Sequence, residues 1–273
     1  MLQLKYDSFS TYIFSFDFVC FRDHFLPLVY CLLPNKHQDT YYTVLEIVKR
    51  EMAKIDIAFN PPQILTDFEL GLINKLPVLF PNARLRGCYF HHTQCIWRRV
   101  QSLGLTTDYR DNPDVRSFVR QLMALAFLPV PIVRPMFSFL EEHPTATSQP
   151  ACSLLLSYYK DTWLNGSFPL PFWNVHNEGT RTNNHLEGWH SKLNKAVRKI
   201  HPSVHDLVAV LKVEQGETEL VIQRARLGAA PAPRKKKYRG LDSRLERLRT
   251  QFRSGDMSSN EFLDAVQHLV HHY

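Results

Sequence analysis

The chain has 273 residues, of which 44% are hydrophobic and 22% are charged, so it can bury a core as one large domain or two small ones. Its net charge of +7 favours polyanionic partners, because Lys and Arg neutralise phosphates. No apolar run approaches the roughly 18 residues of a membrane helix, and the N-terminus lacks a signal-peptide pattern. We therefore expect an intracellular chain without a membrane partner. The five cysteines are widely spaced and odd in number, which argues against a disulfide framework.

Strand and helix patterns alternate in the first part of the chain. Aromatic and aliphatic residues dominate the first 33 residues and predict buried strands. A helix pattern begins at Asp39, followed by a short strand at 63–66 and a helix through 70–79. A third strand at 83–89 and a helix at 93–103, stopped by Gly104, complete the series. This alternation predicts an α/β fold with parallel crossovers.

The remainder of the chain has helix patterns only. One helix begins at Asn112-Pro113, and two more are predicted at 132–142 and 151–164, so we predict a helical insertion over about 109–164. Long helices follow at 183–200 and 204–227. We therefore divide the chain into a domain over 1–227, a basic Pro-rich linker over 228–240 and a small helical tail over 241–273, whose last helix opens at Ser258.

Three segments carry the most informative motifs. The first reads PLVYCLLPNK from Pro27, and the second reads TDFE from Thr66, FPNAR from Phe80 and GCYFHHTQ from Gly87. The third reads RTNNHLEGWHSKLN from Arg181. In this order they resemble the Mutator-like element (MULE) transposase family, over about residues 27–211.

The resemblance implies a ribonuclease H-like mixed sheet and an Asp-Asp-Glu triad that holds two Mg²⁺ or Mn²⁺ ions for phosphoryl transfer on DNA. The family's second Asp maps onto Asp67, at the end of a strand, and its Glu maps onto Glu187. Each has a local alternative: Asp67 could cap the next helix, in a segment where Thr66 and Glu69 have capping-box spacing, and Asn184 with Glu187 has that spacing too.

The family's first Asp lies in an Asp-Gly-Thr-Phe-like motif well upstream of the Pro27 segment. No such motif occurs in these 273 residues, and Asp7, Asp17 and Asp23 lack its surroundings. We therefore expect an N-terminally truncated transposase domain whose catalysis is impaired.

Two further groups of residues lie near the predicted site. Cys88 and His91 resemble the family's Cys-x-x-His motif, which is half of a zinc site at most; Cys95, His92 and His190 are further ligand candidates. The alternative is a buried thiol beside a hydrogen-bonded imidazole. A basic border that could contact phosphates, or could simply be a solvated face, is formed by Arg98, Arg99, Lys192, Lys195 and Arg198.

The sequence thus predicts a transposase-derived protein that binds DNA, with metal-dependent strand cleavage and transfer as its ancestral activity. The basic run 234–237 fits a nuclear localisation signal or a DNA-contacting arm, so we expect a nuclear protein. Whether it forms a homo-oligomer stays open. The alternatives are a host-adopted, non-catalytic DNA-binding or scaffold protein that keeps the fold, and a poorly folding fragment from an imperfect gene model.

Overall fold

A computed structural model describes residues 2–6, 9–21, 24–179, 181, 184–197, 203–230 and 236–270. Within them, no helix is both long and apolar enough to cross a membrane. The fold is α/β, as predicted. The chain divides into two compact units: residues 1–62, 69–84 and 183–233 form the first, and residues 63–68, 85–182 and 234–273 form the second.

The first unit opens with an antiparallel sheet of three strands in the order β1-β2-β3. The strands are β1 (Leu2–Tyr6), β2 (Phe9–Phe21) and β3 (His24–Leu33). They cover the aromatic segment for which strands were predicted, because aromatic and β-branched residues suit a pleated surface.

Helices make up the rest of the first unit: α1 (Gln38–Ala53), α2 (Leu70–Ile73), α3 (Leu76–Leu79), α11 (Asn184–Val197) and α12 (Val204–Arg226). The single helix predicted over 70–79 is wrong, because it is split into α2 and α3. Pro77 lies in the first turn of α3, where a residue without an N–H is tolerated but cannot continue a preceding helix. Leu193 and Val197 of α11 are buried with Leu207 of α12.

Two short strands, β4 (Gln63–Thr66) and β5 (Arg84–Gly87), form a separate parallel sheet. The backbone N–H of Arg84 donates to Pro62 O at 2.9 Å and that of Cys88 donates to Thr66 O at 2.8 Å. Among the described strands, β4 and β5 pair only with each other, so the one mixed sheet expected from the sequence is replaced by two sheets. Strands of four residues present few backbone groups for pairing with further strands.

The second unit is otherwise helical. Its helices up to the tail are α4 (Tyr89–Ser102), α5 (Thr106–Asp111), α6 (Pro113–Ala124), α7 (Val130–Glu141), α8 (Pro144–Ser148), α9 (Pro150–Tyr159) and α10 (Leu170–Trp173). A 3₁₀ turn at Leu125–Phe127 follows α6, and a π turn at Lys160–Leu164 extends α9. Residues 109–164 contain helices and turns without a strand, as predicted. Asn112 caps α6 by accepting from the backbone N–H of Asp114 at 2.9 Å.

The tail forms α13 (Lys236–Ser254) and α14 (Ser259–Gln267). Ser258 and Glu261 complete a capping box at the start of α14, as their spacing indicated. Phe262, Leu263 and Val266 are buried in the helical core. The tail is therefore part of the packing of the second unit.

Candidate functional site

Asp67 lies directly after the last residue of β4 and is partly buried. The next helix, α2, has Glu69 at its N-cap position, and no side chain there makes a capping hydrogen bond. The local alternative, in which Asp67 or a Thr66–Glu69 box caps this helix, is therefore wrong. Asp67 lies instead at the carboxyl end of a parallel strand, where ligands usually bind in α/β sheets.

The residue after it, Phe68, anchors this strand end in an aromatic cluster. Its ring meets those of Trp163, Phe168 and Phe172 edge-on, with centroids 4.8, 5.1 and 5.6 Å away. A Cβ added to Gly87 would lie 2.6 Å from the Phe68 ring and 2.9 Å from that of Phe172. Gly87, at the end of β5, thus leaves the space that lets Phe68 pack and hold Asp67 in place.

Cys88 lies at the corresponding end of the neighbouring strand. It is fully buried, occupies the N-cap position of α4 in extended backbone, and is joined to Thr66 by the backbone hydrogen bond described above. Helix α4 therefore begins at Tyr89, earlier than predicted, and starts beside Asp67. His91 lies in its first turn and is partly buried.

One face of α4 carries His91, Cys95 and Arg98 at successive turns. The pKa of Cys95 is raised by burial, lowered by the charge of Arg98 and raised again by the charge of Asp67. The charges of Arg98 and Asp67 thus both act on the Cys95 thiol. Arg98 is exposed, so a phosphate can approach it.

His92, about a quarter turn around α4 from this face, is completely buried. Its ring stacks on that of Trp173 at 5.0 Å and 9° and meets Trp163 edge-on at 4.4 Å. Within the described structure, neither ring nitrogen has a hydrogen-bond partner. Burial lowers the pKa of His92 to about 3, so the ring is neutral at physiological pH. An imidazole enclosed in this way is a core residue rather than an accessible zinc ligand.

The third motif segment begins close to the start of α4. The backbone N–H of Tyr89 donates to Arg181 O at 2.9 Å, and the Arg181 guanidinium binds Asp242 of α13 at 2.5 Å. Six residues further on, Glu187 lies in α11, and its side chain is outside the described part of the structure. The predicted convergence of Asp67 and Glu187 therefore stays a prediction.

Strand β5 carries one partner of a buried ion pair, Arg86–Glu178, which the sequence analysis did not predict. Arg86 is 1% exposed, and its guanidinium lies 2.7 Å from a carboxylate oxygen of Glu178. Removing one partner of such a pair leaves an uncompensated buried charge, which typically costs about 3–5 kcal/mol. The sequence of β5 gives no indication of this ion pair, because the partner, Glu178, lies far along the chain.

The residues of the predicted basic border differ in exposure and in their contacts with other side chains. Arg98 and Lys195 are exposed, whereas the Arg99 guanidinium lies 5.5 Å from the centre of the Tyr158 ring. Lys192 Nζ lies 2.8 Å from Glu214 and also contacts Glu217, and these carboxylates raise the pKa of Lys192. Its charge is therefore already balanced within the chain. Arg198 lies outside the described residues.

A metal site would need oxygen ligands that converge. Asp67 supplies a carboxylate of the kind that Mg²⁺ prefers, at a strand end. Among the residues that the structure describes, no group of three or more His, Cys, Asp or Glu side chains is arranged to hold a metal ion. The described residues alone thus do not make a Mg²⁺ or zinc site, and the side chain of His190, a further ligand candidate, lies outside them.

Residues 5–95 match the family model of the MULE transposase domain. The N-terminal third of the chain therefore resembles the MULE transposase domain, as its motifs indicated. The matched region contains Asp67, Cys88, His91 and Cys95 and ends before the helical insertion and the segment of Glu187. No curated protein and no solved structure matches the chain.

Proposed function

We propose that this transposase-derived protein binds DNA through the surface beside Asp67. The observation that carries the proposal is the position of Asp67 in the matched region, at the end of β4, and its charge acts on Cys95, which shares a face of α4 with Arg98. A carboxylate and an exposed guanidinium in the same part of a unit suit a phosphodiester: the guanidinium attracts the phosphate, and the carboxylate can hold a cation against it.

Arg98 is the residue best placed for the phosphate contact. It is exposed, and it lies on the same helix face as Cys95, which is influenced by Asp67. Lys195, exposed on α11 of the first unit, is a separate candidate for a phosphate contact. Lys192 contributes less, since Glu214 and Glu217 already balance its charge.

For the catalytic activity, we propose Asp67 and Glu187 as the ligands of Mg²⁺ or Mn²⁺, with a third carboxylate required in addition. When bound, such ions activate the attacking water or 3′-hydroxyl and stabilise the leaving oxygen in phosphoryl transfer. Asp67 is held for this role by Phe68, whose packing fixes the strand end, while Gly87 provides the space for that ring. A basic run at 234–237, which lies outside the described residues except at its end, supports a nuclear location.

The DNA-binding proposal is tested by a salt titration of binding to a fluorescein-labelled duplex, followed by fluorescence anisotropy between about 50 and 200 mM salt. Each phosphate contact contributes about 0.9 to the slope of log affinity against log salt. We expect Arg98→Gln to lower the slope by about 1 and to weaken binding for all duplex sequences alike.

The matched control is Arg110→Gln, which removes the same charge elsewhere in the second unit. The Arg110 guanidinium lies 2.7 Å from Asp111, so that pair is locally neutral and the slope should change little. Equal slopes for wild type and Arg98→Gln would show that the α4 face does not contact DNA. An affinity that does not depend on salt would contradict DNA binding by charge altogether.

A further inference from the structure

The face of α12 that points away from its core carries an unusual strip of residues. Ala209, Val213, Gly216, Leu220, Gln223 and the C-cap residue Leu227 follow the spacing of four and three residues that is typical of a two-helix coiled coil. Val213 is 62% exposed, Leu220 is 45% exposed and Leu227 is 88% exposed. Single exposed apolar residues are normal, but three large ones aligned at seven-residue intervals form a continuous seam.

The opposite face of the same helix is already occupied. Leu207, Glu214 and Ala225 are buried, and Glu214 accepts hydrogen bonds from Trp189 at 3.2 Å and from Lys192 at 3.1 Å. Helix α12 is therefore held to α11 by one face, while the apolar seam is on the other. Because the helix is preformed, pairing through the seam would not have to pay for helix formation.

Charged residues flank the seam in a complementary pattern. Lys212 and Glu219 line one edge, and Glu217 and Arg224 line the other, all of them exposed. In a parallel pair of helices, each residue of the first edge faces the residue five positions later on the partner. Lys212 would then meet Glu217 of a second copy, and Glu219 would meet Arg224.

This pattern makes the seam complementary to a second copy of the same helix. In a single parallel register, both pairs bring opposite charges together. The small residues Ala209 and Gly216 let two helix backbones approach closely between the larger side chains. Glu217 also contacts Lys192 of its own chain, so this carboxylate would be shared between two cations.

We propose that α12 forms a parallel homodimer with a second copy of this chain through this seam. The seam spans little more than two heptads, so the interface is smaller than standard ones and we expect a dissociation constant of about 1–100 µM. The inference does not depend on DNA binding, because the seam residues play no part in the proposed phosphate contacts.

The first test is sedimentation velocity of the full chain over a range of concentrations. The double variant Val213→Lys, Leu220→Lys should weaken the dimer by at least about tenfold, since it places like charges in the apolar seam. Both positions are exposed, so circular dichroism should show an unchanged helix content. The control is Leu154→Lys, which changes a residue that is 53% exposed on α9 and should leave the dimer intact. A monomer at all concentrations, or a dimer insensitive to the double variant, would overturn the proposal.

The second test is a charge swap, which a folding defect cannot imitate. Glu219→Arg alone places Arg against Arg224 of the partner twice per dimer and should raise the dissociation constant by about tenfold. Adding Arg224→Glu restores both attractive pairs and should restore the dimer. Orientation is tested with Gly216→Cys, which should form an intermolecular disulfide on oxidation in a parallel dimer. Failure of the swap to rescue, or of the cysteine to cross-link, would contradict the parallel arrangement.

Discussion

Acidification should destabilise the second unit because His92 is buried in a neutral form. The ordinary pKa of the imidazole is 6.5, and burial lowers it to about 3 in the folded protein. Between these values the unfolded chain binds a proton that the folded chain does not bind, so stability falls as the pH falls. The contribution is fully present above pH 6.5 and is lost progressively below it.

The magnitude follows from one proton. The slope is about 1.4 kcal/mol per pH unit, so lowering the pH from 6.5 to 5 should cost about 2 kcal/mol from His92 alone. His176 acts in the same direction, since burial lowers its pKa as well. The contribution of His92 is therefore obtained as the difference between wild type and His92→Phe, which keeps an aromatic ring against Trp173 and removes both ring nitrogens.

The assay is urea unfolding at a series of pH values, followed by tryptophan fluorescence, to which Trp163 and Trp173 beside His92 contribute. His92→Phe should flatten the pH dependence by about one proton between pH 6.5 and 5. Its absolute stability can change through packing, so the slope is the readout. His268→Gln, at an exposed position of the same unit, is the control and should keep the wild-type slope. A His92→Phe variant with the wild-type slope would refute the buried neutral imidazole.

Two other predictions concern the strand end and catalysis. Gly87→Ala should destabilise the protein by about 1–3 kcal/mol in chemical denaturation, because the added methyl group meets the Phe68 ring. The control is Gly240→Ala, at an open helical position of the same unit, which should be neutral or stabilising by up to about 1 kcal/mol. A Gly87→Ala variant as stable as wild type would contradict the packing of Phe68 against Gly87. In a plasmid nicking assay with Mg²⁺ or Mn²⁺, the 273-residue chain should bind DNA without cleaving it, since the sequence has no motif for the first carboxylate. Metal-dependent nicking that disappears in Asp67→Ala would show that another acid, such as Asp17 or Asp23, completes the site.

Local patterns predicted the elements around the site because the physical causes are local. A polar residue after a short apolar segment placed Asp67 at a strand end. Gly104 follows the end of α4 with a φ of 74°, a backbone conformation that only a residue without a Cβ adopts readily. The capping box at Ser258 was visible as a spacing of Ser and Glu.

Long-range features were not predictable from these patterns. The enclosure of His92 depends on Trp163 and Trp173, which lie on other elements far along the chain. The Arg86–Glu178 pair and the two-sheet arrangement likewise depend on tertiary neighbours. A period of hydrophobic residues identifies a buried face but does not identify what covers it.

The central claim, that Asp67 belongs to a phosphoryl-transfer site with Glu187, is tested most directly by a crystal structure of the protein with Mn²⁺. Anomalous diffraction should show an ion bound by both carboxylates, with metal–oxygen distances of about 2.0–2.6 Å. Asp67→Asn should remove the ion, and Asp161→Asn, at an exposed position of the same unit, should retain it. Carboxylates of Asp67 and Glu187 that lie on separate surfaces, with no ion at Asp67, would contradict the claim.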